Sequence, residues 1–224
     1  MHTTTSVFDT PGAVLLTAWC VVMWAAVAVL TRTRHRRPPW AYRLALAVTA
    51  VGLVGQIGHV QEHVAQVIYW LWHPNDPGWM TPLGDSLARG YGQLTGTDPA
   101  VGMEVLHLVG NFIFLAGLVG AVLATRHVAS SSAHRWARMG VIMQGIHGLE
   151  HVALTVTAAA GLPPVGLSTW FGLLDAGPGL WTYRVWWHFL ANVVGTIVFT
   201  VVVAKFWRER HRVGAAWAEL TTRA

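Results

Sequence analysis

Residues 12–31 read GAVLLTAWCVVMWAAVAVLT, an apolar stretch without one charged side chain. About 20 such residues in a helix cross the roughly 30 Å of hydrocarbon in a bilayer. Four further runs approach or exceed that length, at 41–72, 100–125, 138–160 and 182–206. In lipid every backbone polar group needs an internal partner, and no barrel-like alternation is visible, so the runs are expected to be helices. The 41–72 run exceeds the minimum, which predicts tilt or projection beyond the bilayer. Composition fits: the chain is 54% hydrophobic and 11% charged, against about 25% charged residues in a soluble domain. Soluble enzymes, nucleic-acid binders and disordered chains are thereby excluded.

Arginine sets the expected orientation. Arg32, Arg34, Arg36, Arg37 and Arg43 separate the first two runs, and Arg126, Arg135 and Arg138 separate the third and fourth. Lys205, Arg208, Arg210, Arg212 and Arg223 follow the fifth, leaving Arg89 and Arg184 for the opposite side. By the positive-inside rule the N-terminus is expected outside and the C-terminus in the cytoplasm of a multi-pass cell-membrane protein. The net charge of +5 is then a topology signal, with anionic lipid as the default partner and no nucleic acid. The first residues lack the basic n-region of a cleaved signal, so the first run reads as a retained span. Cys20 is the one cysteine, which excludes disulfides, a CxxC pair and thiolate clusters. Segments 73–99 and 161–181 are rich in Gly, Pro and Trp and read as external connections carrying an interfacial aromatic belt.

The polar residues inside the runs repeat. Gln56, His59, Glu62 and His63 in the second run match Gln144, His147, Glu150 and His151 in the fourth, both as Q-x-x-H-x-x-E-H-V-A. His107 and Asn111 in the third match His188 and Asn192 in the fifth, both as H-x-x-x-N. Two motifs recurring in the same order on successive helix pairs indicate a duplicated hairpin, with a pseudo-twofold axis along the membrane normal. The expected fold is an all-α integral membrane protein of five transmembrane helices, four of them a bundle built from that hairpin. Its parts are 1–40 (first helix and cytoplasmic basic loop), 41–126 (repeat 1), 127–212 (repeat 2) and 213–224 (cytoplasmic tail). The first helix is assigned to packing or assembly.

Helical rise places the histidines at one depth. His59 lies about 24 Å from Arg43, His107 about 28 Å from Arg126, and His188 about 25 Å from Lys205. His151 lies about 20 Å from Arg138, with His147 one turn lower. Residues at i, i+3 and i+4 share a helix face, so His59, Glu62 and His63 point together, as do His147, Glu150 and His151. Such residues are costly in hydrocarbon and mark function; interhelical hydrogen-bonding is the plainer alternative.

Neutral imidazole favours transition metals, and an i, i+4 histidine pair can grip one ion. The expected ligands are His59, His63, His107, Asn111, His147, His151, His188 and Asn192, around two or more ions. Copper is favoured, with iron or zinc as alternatives. Glu62 and Glu150 are read as catalytic, as ligands, bridges or orienting acceptors. Glu104 breaks the symmetry, because Val185 stands at the matching position; it is either a helix-end residue or a proton relay, with Arg184 as a candidate ion-pair partner. In residue types the set resembles the histidine-box membrane hydroxylases and desaturases, although its spacing departs from their HxxxH and HxxHH boxes. H-x-x-E-H is also the inverzincin pattern, but its duplication on membrane helices fits a symmetric cluster better.

The leading expectation is a metal-dependent membrane oxidoreductase that oxidises a lipophilic substrate with oxygen. A haem b electron-transfer cytochrome is the alternative, followed by a metal transporter or sensor. A homo-oligomer or a larger membrane complex is compatible with the same chain.

Overall fold

The computed structural model describes residues 6–35, 38–74, 76, 78–128, 130–175 and 177–222. Within them the regular elements are helical: α1 (Asp9–Arg32), α2 (Pro39–Trp72), α3 (Pro82–Thr95), α4 (Pro99–Thr125), α5 (Ser132–Ala159), a 3-10 turn (Leu167–Gly172) and α6 (Pro178–Thr222). Four helices are long and apolar enough to cross a membrane: Asp9–Arg32, Pro39–Trp72, Pro99–Thr125 and Pro178–Leu220. That is consistent with a membrane protein. α5 has 28 residues, but Arg138, Gln144, His147, Glu150 and His151 thin its apolar content, and it is not among the four.

Local sequence explains where the helices begin. Proline occupies the first turn of α2, α3 and α4, where its missing N–H costs nothing. Thr81, Asp98 and Ser131 precede α3, α4 and α5 and accept from the backbone N–H of Gly84, Ala100 and His134 respectively, which satisfies orphan donors of the first turn. Gly96 ends α3 at φ 65°, a left-handed position that glycine adopts without steric cost.

α2, α4, α5 and α6 form a ring in which each packs on the next and α6 returns to α2. At the arginine-rich end its interior is apolar, with Phe114, Leu118, Ala121, Ala137, Phe199 and Val202 buried together. Small residues set the spacing. A Cβ on Gly52 would stand 2.5 Å from the Gly117 Cα, so α2 and α4 touch backbone to backbone, as close helix packing in lipid favours. α1 lies outside the ring against α3 and α4. Its first residue, Asp9, is fully buried and accepts from Arg89 Nε at 2.9 Å and Ser86 Oγ at 2.5 Å. That carboxylate's hydrogen bond raises the Arg89 pKa against the opposing cost of burial.

Two stretches differ from the sequence expectation. The 73–99 connection contains α3, a fourteen-residue helix too short to register as an apolar run. Residues 213–222 continue α6 rather than forming a loose tail. Val213 and Trp217 are buried beside Leu30, Ala41 and Ala45, and Trp217 Nε1 donates to the Ala124 carbonyl at 2.7 Å. The burial of a single aromatic face is what the Ala/Thr-rich composition concealed.

Gly52→Leu is expected to wedge α2 from α4 and cost about 1–3 kcal/mol, the usual range for overpacking. Thermal unfolding of the detergent-solubilised protein should show a midpoint several degrees lower, whereas Gly58→Leu, where a Cβ meets nothing within 4 Å, should leave it unchanged.

Candidate metal centre

Six histidines converge inside the ring. α2 supplies His59 and His63, α4 His107, α5 His147 and His151, and α6 His188. His63, His107, His151 and His188 are buried. The rings meet with a repeated geometry. His59–His63 and His147–His151 each have centroids 4.7 Å apart, edge to face at 82° and 81°. His63–His107 and His151–His188 lie at 5.4 and 5.3 Å. Across the ring, His63 stacks on His188 at 5.6 Å and 9°, and His107 on His151 at 5.5 Å and 8°. Exchanging His59 with His147, His63 with His151 and His107 with His188 thus leaves the distances nearly unchanged.

Hydrogen bonds fix the rings. His107 Nδ1 donates to the Met103 carbonyl and His188 Nδ1 to the Arg184 carbonyl, both at 2.8 Å. A carbonyl only accepts, so each Nδ1 carries the proton and each Nε2 presents a lone pair. His63 Nδ1 faces Gln66 Oε1 at 2.9 Å, and His147 Nδ1 faces Glu150 Oε2 at 3.3 Å. His63 Nε2 stands 3.3 Å from His59 Nε2. The Nε2 atoms of His147 and His188 and both ring nitrogens of His151 are buried without a hydrogen-bond partner. Leaving a buried polar group unpaired costs about 1–3 kcal/mol. Among the described residues no group of three or more His, Cys, Asp or Glu is placed so that it could hold a metal ion; the rings are gathered, but their nitrogens do not converge on one point.

The asparagines lie one turn below the rings, bound elsewhere. Asn111 Nδ2 donates to the His107 carbonyl at 2.8 Å, and its Oδ1 accepts from Gln144 Nε2 at 2.6 Å. Asn192 Nδ2 donates to the His188 carbonyl at 2.9 Å, and its Oδ1 accepts from Gln56 Nε2 at 3.2 Å. These amide pairs tie α4 to α5 and α6 to α2. Here the hydrogen-bonding alternative is realised, one layer beneath the imidazoles.

The glutamates anchor the connecting segments. Glu62 accepts from the Thr81 backbone N–H at 2.9 Å and from the Thr81 hydroxyl, so it sits at the positive N-terminal end of α3. It reaches the histidines through Gln66, whose Nε2 donates to Glu62 Oε1 at 3.3 Å. A Cβ on Gly84 would lie 2.9 Å from that carboxyl group, which is why a glycine stands there. Glu150 accepts from the Ser168 N–H at 2.6 Å and from Trp187 Nε1 at 3.3 Å, and it also orients His147. Sequence reasoning had not picked out Thr81 or Ser168; the Thr81-Pro82 pair, a helix-start signature, was the available sign of the first. Glu104 pairs with Arg184 at 2.5 Å, linking α4 to α6 at the tryptophan-rich end.

Two cavities reach the histidines. One of about 350 Å³ lies beyond the layer at the tryptophan-rich end, with His63, His107 and His188 in its wall beside Tyr69, Trp79 and Trp181. The other, of about 340 Å³, runs between α5 and α6 and reaches His147 and Glu150.

Gln144→Leu strips Asn111 Oδ1 of its donor and is expected to cost about 1–3 kcal/mol; Gln56→Leu should cost a similar amount. Both should appear as lowered unfolding midpoints in detergent, and an unchanged midpoint in both would show that the amide pairs do not hold the helices together.

No curated protein and no solved structure matches this chain. Over residues 1–224 the sequence matches one family model, described as a family of unknown function (DUF6008), and the chain belongs to that family.

Proposed function

We propose that the chain is a membrane metalloprotein in which the six-histidine layer holds two transition-metal ions, copper first, with three imidazoles to each. The observation that carries this reading is the set of buried ring nitrogens without partners at His147, His151 and His188. No protein group satisfies them, and protonating neighbouring buried rings would pack like charges together. A metal ion satisfies a lone pair without adding a proton. The carbonyl-held Nδ1 groups of His107 and His188 and the Glu150–His147 contact supply the orienting partners that metal-binding histidines use.

The same reading includes five spans, with α5 as the fourth, its polar residues turned into the bundle. It also includes the duplicated hairpin, supported by the paired ring distances, and an external N-terminus, supported by arginine placement. The ligand set narrows to the six histidines, with Asn111 and Asn192 as framework. Haem b is disfavoured by crowding: His59, His63, His151 and His188 all lie within 5.8 Å of His107, centre to centre, leaving no free plane for a porphyrin.

The proposed activity is oxidation of a lipophilic substrate with oxygen. Copper when bound supplies the electron transfers and the oxygen chemistry. The chain's residues gather and orient the imidazoles, exclude water from the layer, and place a carboxylate, Glu150, against His147 to take up or return a proton.

Metal analysis of detergent-purified protein, as isolated and after loading with copper, tests this. About two equivalents per chain are expected, without a Soret band. His59→Ala and His147→Ala should each lose a comparable share of the metal, about one equivalent or more. Protein that binds none of copper, iron or zinc would overturn the proposal, and unchanged loading in both variants would overturn the ligand assignment.

A further inference from the structure

The two halves of the histidine layer are alike in their rings but unlike in their flanks. In the first half the helix pair is α2 and α4, and α1 covers it. Ile113 is 1% exposed and fills the space over Gly55, where a Cβ would meet Ile113 Cγ2 at 2.7 Å and Trp19 at 3.7 Å. Val109 and Trp19 join the same cluster, and Trp24 Nε1 donates to the Phe112 carbonyl at 3.1 Å. The motif alignment pairs Ile113 with Val194 and Val109 with Leu190 in the second half. There no helix among the described residues takes the place of α1. Val194 is 48% exposed and Leu190 55%, and the crevice of about 340 Å³ lies open between α5 and α6.

Its chemistry is graded. Met143, Leu190, Ala191 and Val194 give one end apolar walls, and His147, Glu150 and Trp187 stand at the other. Ile142 and Leu149, both strongly exposed and apolar, flank the crevice on α5, so it opens toward the face that would meet lipid tails. Its walls are apolar over most of their length, and Ile146, Leu190 and Val194 on its rim are exposed, so hydrocarbon is the chemistry it would meet in a bilayer.

We infer that the α5–α6 crevice is a lateral binding site for the hydrocarbon segment of a bilayer-dissolved molecule, which it leads to His147, and that α1 closes the matching path to His59. The site stands on the geometry of the crevice; that its occupant is the substrate rests on the metal-centre reading above. Only one half of a nearly symmetric layer is then reached from the bilayer.

Photolabelling in phospholipid vesicles tests the inference, with an aliphatic diazirine fatty alcohol as the probe and peptide mass spectrometry as the readout. Wild-type protein should carry label at Met143 and His147 as well as at Ile142 and Leu149, with His59 unlabelled. Ala191→Trp fills the crevice and should cut label at Met143 and His147 at least fivefold while leaving Ile142 and Leu149 as before. Val194→Phe, on the lipid-facing wall, should act in the same direction if the first variant fails to fold. Label at His147 that is absent in wild type, equal at His59, or unaffected by both substitutions would overturn the site. Metal loading measured on the same preparations separates the two ideas: labelling blocked by Ala191→Trp in protein that takes up none of copper, iron or zinc would sustain the crevice and sink the metal centre.

Discussion

Water is the missing partner around which this bundle is organised. In a bilayer interior a polar side chain must find its complement on a neighbouring helix or in a ligand. Directly beneath the histidines the problem is largely solved internally, by the amide pairs Gln56–Asn192 and Gln144–Asn111, with Gln56 Oε1 left over. At the next level it is not solved. Three rings keep buried nitrogens unpaired, although their other contacts are arranged with care.

The framework and the centre support each other. Gly52 and Gly117 bring α2 and α4 close enough for His59 and His107 to meet at 5.8 Å. Glu62 and Glu150 reach in the other direction, to the start of α3 and to Ser168, and so fasten the connecting segments to the same helices that bear the histidines. α1, held by Asp9 and Arg89, then breaks the twofold relation by covering one flank.

The sequence showed the helices and the rings well, because both rest on strong local signals. Apolar run length located α1, α2, α4 and the first half of α6, and the paired Q-x-x-H-x-x-E-H and H-x-x-x-N motifs named the six histidines that the fold gathers. Other features depend on tertiary packing and were hidden. Asn111 and Asn192 were legible as polar residues one turn from the histidines, but their amide partners, Gln144 and Gln56, face them only once the ring closes. Glu62 and Glu150 share a helix face with the histidines, and their contacts with Thr81 and Ser168 cross from distant segments. α3 and the last turns of α6 were missed because each buries one narrow face, Ala88 and Tyr91 in the one and Val213 and Trp217 in the other, which leaves too faint an apolar pattern. The Glu104–Arg184 pair was visible as two opposite charges near matching helix ends.

The central claim is that neutral imidazoles from both halves surround the bound ions. X-ray absorption at the metal edge of copper-loaded protein measures this directly. The account predicts about three nitrogen scatterers per ion near 2.0 Å, with the outer-shell pattern of imidazole rings. A first shell dominated by oxygen or sulfur, or the outer-shell pattern of a porphyrin, would contradict it.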